Sequence, residues 1–292
     1  MGGLIGPIGG LEELRCASTL SEAPVSDSLL RVSRALDGTE YGQIASARPN
    51  REWQIGVGAA PPETMHLLTQ LVREQRWLMT PFVYYSEAAQ VENLLEPDVS
   101  MMSRQWWSNI TDGGARTLPG VNLPGPRFLG SGSAPSDGRW ARLQQVPVPA
   151  LRTMTVSVYL TPYVGRTAQL WVNEINDAGN EVDVHRVYVK DDPDEHTHLV
   201  RAVVTFESRA DTVSLTLAVK DAVTIVAPAI TLTRSALDWV EGQGCMNAVI
   251  KAPAAREVRL AVPDVSWGRV SSYSWSIREV GRGGIAPGSS IT

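Results

Sequence analysis

The 292-residue sequence is poor in cysteine and has no long hydrophobic run. Its two cysteines, Cys16 and Cys245, stand near opposite ends of the chain, which gives neither a disulfide framework nor a cysteine-based metal site. We expect both to stay reduced, because cytosolic thiols normally do. No apolar run is long enough to cross a bilayer, and residues 1–8 lack the positive charge of a secretion signal. We therefore expect synthesis and folding in a cytoplasm.

Positive charge and catalytic motifs are scarce as well. Lys and Arg number 26 against 31 Asp and Glu, which gives a net charge of −5. A nucleic-acid partner needs clustered basic residues and is disfavoured. The sequence has no His-Glu-x-x-His pair, no Gly-x-Ser-x-Gly elbow and no phosphate-binding Gly/Lys/Ser loop. We therefore expect a protein that is not an enzyme and needs no cofactor.

Segments of alternating apolar and polar residues fill the middle of the chain. Alternation over 154–160 lets one face of a strand be buried while Thr155, Ser157 and Tyr159 point the other way. Similar β-branched segments follow, and turn residues at 177–180 separate two of them. These segments are 168–175, 182–189, 199–206, 213–219 and 222–233. Their spacing predicts a β-sandwich.

The N-terminal third predicts strands and one helix. Residues 1–38 are rich in Gly, Pro and Ser without a sustained period, which predicts either an extended arm or a frayed terminus. Residues 41–47 and 52–57 predict two strands joined by a turn at 48–51. The arm would dock on other structure or on a neighbouring subunit through its apolar side chains, Leu4, Ile5, Ile8 and Leu11.

A helix is predicted between the prolines Pro61-Pro62 and Pro81. Proline fits the first turn of a helix, where its missing N–H costs nothing. The apolar residues form one stripe at helical spacing. They are Met65, Leu68, Leu71, Val72, Leu78 and Met79. Residues 82–86 then predict a strand, and residues 91–97 a short turn.

The last strands are predicted to rejoin the first domain. They have no helix and too little apolar surface to fold alone, and they are predicted at 246–251, 257–262 and 270–278. The predicted class is mainly β, with a discontinuous β domain that contains one helix and carries an inserted jelly-roll β-sandwich. The predicted bounds are 1–105 and 240–285 for the first domain, 106–239 for the sandwich and 286–292 for a flexible tail.

Two adjacent tryptophans, Trp106 and Trp107, stand at the predicted crossing into the sandwich. Large aromatic side chains gain most from burial. We therefore predict that they plug an interface between domains, and a ligand platform is the alternative.

Six short segments spread over most of the chain form a recognisable set. They are the N-terminal Gly/Leu segment, Glu40-Tyr41-Gly42, the proline-initiated helix, Asn93-Leu94-Leu95, Trp239-Val240-Glu241-Gly242-Gln243-Gly244 and Ala248-Val249-Ile250. Together they resemble minor tail proteins of siphophages that infect actinobacteria, of the distal-tail type, whose N-terminal β domain builds a ring at the tail tip.

The resemblance implies a structural virion protein of the tail tip, or baseplate. It would form a six-fold or three-fold ring with itself and contact neighbouring tail-tube and tail-tip proteins. Unpaired strand edges and the N-terminal arm would supply the assembly contacts. The expected interface residues are Leu4, Ile5, Ile8, Leu11, Trp106 and Trp107.

Residues 139–233 separately resemble a jelly-roll carbohydrate-binding module. The resemblance rests on the segments 152–159, 203–206 and 229–233. Val226-Ala227-Pro228 stands where the family would have a glycine-containing turn. An inserted module of this kind implies contact with host cell-wall glycan.

Glycan binding requires exposed aromatic faces with amides and charged groups beside them. In residues 169–173, Leu170 and Val172 fit the core, which leaves Trp171 outward beside Asn173. The same alternation places Tyr159 outward, and Tyr188 joins the candidates. The alternative is that these aromatic residues pack against a neighbouring domain or subunit.

The densest polar cluster lies at residues 191–198. Asp191, Asp192 and Asp194 could supply the oxygen ligands that calcium prefers, and His196 and His198 share a face if this segment is extended. The alternative is a solvated hairpin loop without a metal.

The sequence therefore predicts a tail-tip component that assembles and contacts host glycan. A free-standing lectin-like protein is the first alternative, and a cell-wall hydrolase is the second. A hydrolase would need two carboxylates held a fixed distance apart, which a sequence cannot show.

Overall fold

We describe the fold from a computed structural model of the chain. The described residues are 2–14, 17–25, 30–34, 40–44, 50–57, 66–67, 70–71, 82–102, 106–116, 129–192, 199–250, 254–256 and 272–280. They fall into two compact units. The first unit contains those of Met1–Ile5, Glu13–Glu87 and Met246–Gly284, and the second contains those of Gly6–Glu12 and Ala88–Cys245. Within these ranges no helix is both long enough and apolar enough to span a membrane.

Antiparallel strands dominate both units, which confirms the predicted mainly β class. In chain order they are β1 (Leu4–Gly6), β2 (Glu12–Glu13), β3 (Ala17–Val25), β4 (Leu30–Arg34), β5 (Glu40–Ile44), β6 (Asn50–Val57), β7 (Phe82–Tyr85), β8 (Trp107–Ser108), β9 (Thr111–Arg116), β10 (Leu129–Ser133), β11 (Ala141–Leu143), β12 (Val146–Pro147), β13 (Thr153–Pro162), β14 (Thr167–Ile175), β15 (Glu181–Lys190), β16 (Val200–Glu207), β17 (Ser214–Lys220), β18 (Ala222–Thr231), β19 (Cys245–Ile250), β20 (Ala254–Arg256) and β21 (Ser272–Glu279). The helices whose bounds lie within the described residues are α1 (Glu87–Glu92) and α2 (Pro97–Ser100).

The first unit is built on one eight-stranded sheet. Its strand order is β2-β1-β7-β19-β21-β6-β3, with β20 paired to β21. β21 is antiparallel to β6, so strands from both ends of the sequence share this sheet. The half-buried Arg51 side chain donates a hydrogen bond from Nε to Oε2 of the buried Glu279, 3.2 Å away. This ion pair joins the two neighbouring strands β6 and β21.

Aromatic side chains fill the core of this unit. Trp53 and Tyr84 are buried and meet edge to face, with ring centroids 5.1 Å apart. Of the predicted helix, His66, Leu67, Gln70 and Leu71 are described and helical. Leu67 and Leu71 are buried whereas His66 and Gln70 are exposed. Leu71 is the member of the predicted apolar stripe that the described residues include, and it is buried, as is Leu67, which the stripe did not include. The rest of the predicted helix lies outside the described residues.

One prediction for this region is wrong. The N-terminal segment is no extended arm, because Leu4 and Ile5 belong to the buried strand β1 and Ala17–Val25 forms a nine-residue strand. The strands predicted at 41–47 and 52–57 correspond to β5 and β6, and these pair with other strands: β5 pairs with β4, whereas β6 pairs with β3 and β21. A local turn signal cannot reveal which strands are paired over long distances in the sequence.

The second unit is a β-sandwich of two antiparallel sheets. The Trp171 sheet has the strand order β15-β14-β17-β11-β8, with β12 paired to β17. The Tyr159 sheet has the order β16-β13-β18-β10-β9. The six strands predicted between residues 154 and 233 are confirmed as β13 to β18. The predicted turn at 177–180 joins β14 to β15, and Gly179 has a φ of 78° there, which an L-residue rarely adopts.

The core of the sandwich comes from the alternating apolar positions. Met154, Val156 and Val158 of β13 are buried on one side, and Leu170 and Val172 of β14 are buried on the other. Residues 226–228 lie inside the continuous strand β18. Ala227 has a φ of 55° at a shift in the register between β13 and β18. The segment is therefore a β-bulge.

The short turn predicted at 91–97 lies largely between two short helices, α1 and α2, which were not predicted from the sequence. Residues 88–100 lie in the second unit, which therefore includes residues that the sequence assigned to the first domain. The N–H of Leu94 donates to the carbonyl of Ile230 at 2.8 Å, and the N–H of Leu232 donates to that of Gln90 at 2.7 Å. The α1–α2 segment is thereby joined to β18 by backbone hydrogen bonds.

Asn93, between α1 and α2, forms four hydrogen bonds through its side-chain amide. Its Nδ2 donates to the carbonyls of Pro228 and Val240, and its Oδ1 accepts from the N–H groups of Leu95 and Ile230, at 3.0–3.2 Å. The residue is fully buried. An amide offers two donors and an acceptor with two lone pairs, so all of its hydrogen-bonding capacity is satisfied.

The segment around Gly242 is close to the backbone of residues 95–96. A Cβ on Gly242 would lie 2.2 Å from the carbonyl oxygen of Leu95, which excludes any side chain without a backbone shift. The N–H of Gly242 donates to Oγ of Ser100 at 2.8 Å. Two segments that carry the family resemblance, 93–95 and 239–244, are thus in direct contact.

We expect Asn93→Ala to lower the free energy of unfolding by about 3 kcal/mol, because it leaves several buried backbone groups without a partner. Chemical denaturation followed by circular dichroism measures the change. Asn180→Ala is the matched control, since Asn180 is exposed at the β14–β15 turn and should leave the stability within about 0.5 kcal/mol. Equal stability of the two variants would contradict the role assigned to Asn93.

Candidate functional site

Tyr159 is not available to a ligand, which corrects the sequence-based prediction. It points away from the sandwich core as the alternation requires, yet only 9% of it is exposed. Trp239 packs against it together with Val226 and Ala229. The indole Nε1 of Trp239 donates to the carbonyl of Pro228 at 3.2 Å. The chain itself therefore covers this part of the outer face of the Tyr159 sheet.

Arg201 completes the cover over Tyr159. Its guanidinium carbon lies 5.4 Å from the centroid of the Tyr159 ring. It also donates to Oγ of Ser157 at 3.0 Å and to the carbonyl of Leu237. Leu237 belongs to the same segment as Trp239, so the cation ties this segment to the sheet.

Among the described residues, the outer face of the Trp171 sheet is partly exposed, with Arg186 and Tyr188 exposed and Trp171 half-buried. Gln169, Trp171 and Asn173 of β14 alternate with the fully buried Leu170 and Val172, as predicted. The neighbours of Trp171 across the ladder are Arg186 on β15 and Ala218 on β17. The neighbours of Gln169 are Tyr188 and Lys220. We call these residues, with Trp140 and Arg142, the Trp171 face.

Trp140 is a member of this face that the sequence-based analysis missed. Its ring centroid lies 4.5 Å from that of Trp171, with 50° between the ring planes. Arg142 of β11 is paired with Ala218, and Trp140 is two residues before it, so both project from the same side of the sheet. β11 has only three residues, which is too short for alternation to reveal which side a residue occupies.

Two cations flank this tryptophan pair. The guanidinium carbon of Arg186 lies 4.3 Å from the ring centroid of Trp171. Nζ of Lys220 lies 5.7 Å from that of Trp140. Both distances are within the range of cation–π attraction. The candidate site is therefore an aromatic pair with one positive charge on each side.

The remaining predicted residues supply polar groups. Tyr188 is 57% exposed, so its ring and hydroxyl are accessible to a ligand. Asn173 is half-buried, and its Oδ1 has no hydrogen-bond partner among the described residues. The same holds for Nε1 of Trp171. Trp171, Asn173 and Tyr188 thus share one face, whereas Tyr159 lies on the other sheet.

A buried carboxylate lies on the inner side of the same strands. Glu174 is fully buried, and its Oε1 is 2.7 Å from Nε2 of His185. Its Oε2 accepts from the N–H of Arg209 at 2.8 Å and from the Thr212 hydroxyl. The His185 ring stacks on Phe206 with centroids 3.9 Å apart. Each carboxylate oxygen of Glu174 therefore has a protein partner.

Asp183 extends this network to the surface. Its Oδ2 accepts from Nε of Arg209 at 2.8 Å. This hydrogen bond lowers the pKa of Asp183 below its usual value of 3.8. The pair therefore stabilises the fold above that pH, and its contribution is lost as the pH falls through the lowered pKa.

Glu174, Asp183 and His185 are close enough together to be considered as metal ligands. The carboxylates of Glu174 and Asp183 already accept hydrogen bonds from Arg209, and Glu174 also contacts Thr212 and His185. A metal ion would have to displace these partners. The residues fit a self-contained hydrogen-bond network better than a metal site.

The predicted calcium ligands are only partly described. Oδ2 of Asp191 accepts a 2.6 Å hydrogen bond from the N–H of Gly165, so this carboxylate holds a turn. Asp192 is exposed beside it. Asp194, His196 and His198 lie outside the described residues, so the calcium site stays a prediction.

Four of the six predicted assembly residues are buried inside the chain. Leu4 and Ile5 belong to the core of the first unit, and Trp106 and Trp107 to that of the second. Nε1 of Trp107 donates to the carbonyl of Val99 at 3.5 Å. These four are corrected to core residues, because the strands β1 and β8 lie within packed sheets. Ile8 is 47% exposed and Leu11 half-buried.

No protein-family model matches the chain, and no curated protein matches it either. Among solved structures, the enzymatically active domain of tailspike protein 4 of bacteriophage CBA120 aligns at 12% identity and a TM-score of 0.35, over 48% of this chain and 21% of that one. The CBM22-1 xylan-binding domain of Paenibacillus barcinonensis Xyn10C aligns at 17% identity and a TM-score of 0.29, over 45% and 88%. A CBM4 structure aligns at 11% identity and a TM-score of 0.29, over 49% and 94%. The function of this chain is therefore inferred from its own residues.

We expect Glu174→Ala to lower the free energy of unfolding by about 3 kcal/mol, since it leaves the Arg209 N–H and the Thr212 hydroxyl without their acceptor. Glu181→Ala is the control, because Glu181 is exposed at the start of β15. Both are compared by urea denaturation. If the two variants unfold at the same urea concentration, the Glu174 network does not stabilise the sandwich.

Proposed function

We propose that this protein is a tail-tip component of a phage virion that binds glycan without cleaving it, through the Trp171 face. The observation that carries the binding role is the accessible face on which Trp140, Trp171 and Tyr188 stand beside Gln169 and Asn173. Aromatic rings provide the apolar surface for sugar C–H groups, and amide groups bond the hydroxyls.

The two sheets of the sandwich differ in what covers them. On the Tyr159 sheet, the outward side chain of Tyr159 is packed under Trp239, whose indole is hydrogen-bonded to the carbonyl of Pro228. A ligand could reach Tyr159 only if the segment that carries Trp239 unfolded. On the Trp171 sheet, Tyr188 and Arg186 are exposed at the same register as Gln169 and Trp171. A solvated strand face with aromatic and polar side chains is suited to an extended polysaccharide chain.

The binding role predicts that Trp171→Ala weakens retention on glycan about tenfold, because the stacking surface is lost. Tyr188→Ala should weaken it by a smaller factor. A glycan array identifies a bound sugar first, and titration calorimetry then measures the affinities. Val203→Ala is the control, since Val203 is exposed on β16 of the other sheet.

The variants are first compared with the parent protein by thermal unfolding, which separates loss of binding from loss of fold. Unchanged affinity in both aromatic variants would exclude the Trp171 face as the glycan site. Release of reducing sugar ends from a bound glycan would instead favour the hydrolase alternative.

The tail-tip role rests on the sequence resemblance together with the free edge of the first unit. β3 is the last strand in its sheet order, and eight of its nine residues are paired with β6, its strand partner among the described residues. An unpaired edge of this length can accept a strand from another copy of the chain. Assembly through strand edges does not require the buried residues Leu4, Ile5, Trp106 and Trp107.

Ring assembly is tested by light scattering after size-exclusion chromatography, followed by electron microscopy. We expect closed rings, of six-fold or three-fold symmetry, whose mass is a multiple of the 31.7 kDa chain. A monomer at the highest soluble concentration, both alone and with neighbouring tail proteins, would contradict the ring and leave the lectin-like alternative.

A further inference from the structure

Basic residues are concentrated on the Trp171 face. Arg186 is paired with Trp171, Lys220 with Gln169, and Lys190 with Thr167. Arg142 joins them through its pairing with Ala218. The other strand positions that share this side, from Thr167 to Asn173 on β14 and at their paired partners on β15 and β17, are uncharged. The whole chain, by contrast, has a net charge of −5.

These four basic residues have no ion-pair partner among the described residues. Three arginines elsewhere on the same unit are paired: Arg139 with Asp137, Arg166 with Asp221, and Arg209 with Asp183. Arg142, Arg186 and Lys190 are exposed, and Lys220 is half-buried. Like charges on one surface repel each other, and a bound anion would remove that repulsion.

The position of Arg186 adds a second argument. Its guanidinium lies over the ring of Trp171, 4.3 Å from the centroid, where a stacked sugar would also have to lie. A neutral sugar that displaces it removes a cation–π contact and offers only hydroxyl groups in return. A sugar with a carboxylate or a phosphate offers an anion to which the planar guanidinium can bond through two N–H groups.

We propose that the ligand of the Trp171 face is an acidic glycan, in which a carboxylate or phosphate group accompanies the stacked sugar. Arg186 then exchanges its contact with Trp171 for an ion pair with the ligand, and Lys220 approaches it from β17 on the other side of β14. This inference rests on the proposed glycan-binding role and adds the class of sugar.

The test uses glycans in charged and neutral pairs. The probes are oligomers of galacturonate and mannuronate, hyaluronan fragments, and the carboxyl-reduced form of each, which is the same chain with neutral sugars. A glycosylated poly(glycerol phosphate) distinguishes phosphate from carboxylate. We expect at least one charged probe to bind about tenfold more tightly than its neutral form at low salt, with the advantage falling as salt screens the charges.

Arg186→Gln should bring the affinities for the charged probe and its neutral form close together, without abolishing binding of the neutral form. Arg234→Gln is the matched control: it removes one exposed positive charge away from the Trp171 face and should leave the preference unchanged. Equal losses in the two variants would show that net charge alone is responsible, which would overturn the inference.

The outcomes separate this inference from the function on which it rests. Equal or tighter binding of the neutral probes overturns the acidic preference and leaves the glycan-binding role intact. Single-stranded DNA that binds as tightly as the charged glycans, and is unaffected by Trp171→Ala, shows a general anion surface and also overturns it. Failure of every charged and neutral glycan to bind overturns the proposed function itself.

Discussion

The side-chain amide of Asn93 holds together the segments on which the sandwich unit depends. Its four hydrogen bonds reach β18, residue Val240 and its own α1–α2 turn. They fix the segment that carries Trp239, and Trp239 in turn covers Tyr159. Because a buried polar group without its partner costs free energy, this arrangement has little freedom to change. The outer face of one sheet of the sandwich is therefore partly covered by the chain itself.

On the other sheet, the alternation of the strands separates the stabilising network from the proposed binding surface. On the inner side of the β14–β15 pair, the buried Glu174 and the half-buried His185 form a network with Thr212 and the Arg209 backbone. On the outer side, one residue along each strand, lie the half-buried Asn173 and the exposed Arg186. The inner network fixes the spacing of the strands, and this spacing also sets the positions of the outward side chains. A binding surface on strands is more rigid than one on loops.

The basic residues of the sandwich unit also form two groups, those paired with carboxylates and those without an ion-pair partner among the described residues. The paired arginines of the sandwich unit are bonded to carboxylates and hold turns or strand ends, as with Arg209 and Asp183. Arg142, Arg186, Lys190 and Lys220, which have no ion-pair partner among the described residues, stand on the Trp171 face. Paired charges are largely neutralised locally, whereas the unpaired ones produce a positive field over the aromatic pair. The acidic chain as a whole thus presents a basic patch at one surface.

The sequence by itself determined the strands of the sandwich and the outward position of Trp171, because alternation is a local property that packing then preserves. It could not distinguish Tyr159 from Trp171, since both alternate in the same way, and what covers a strand face comes from distant residues such as Trp239. It missed Trp140 because β11 is only three residues long. Only the tertiary structure decided which sheet face is open and that β6 pairs with β3 and β21. It also decided that four predicted assembly residues, Leu4, Ile5, Trp106 and Trp107, are core residues. Each of these features depends on contacts between residues far apart in the chain.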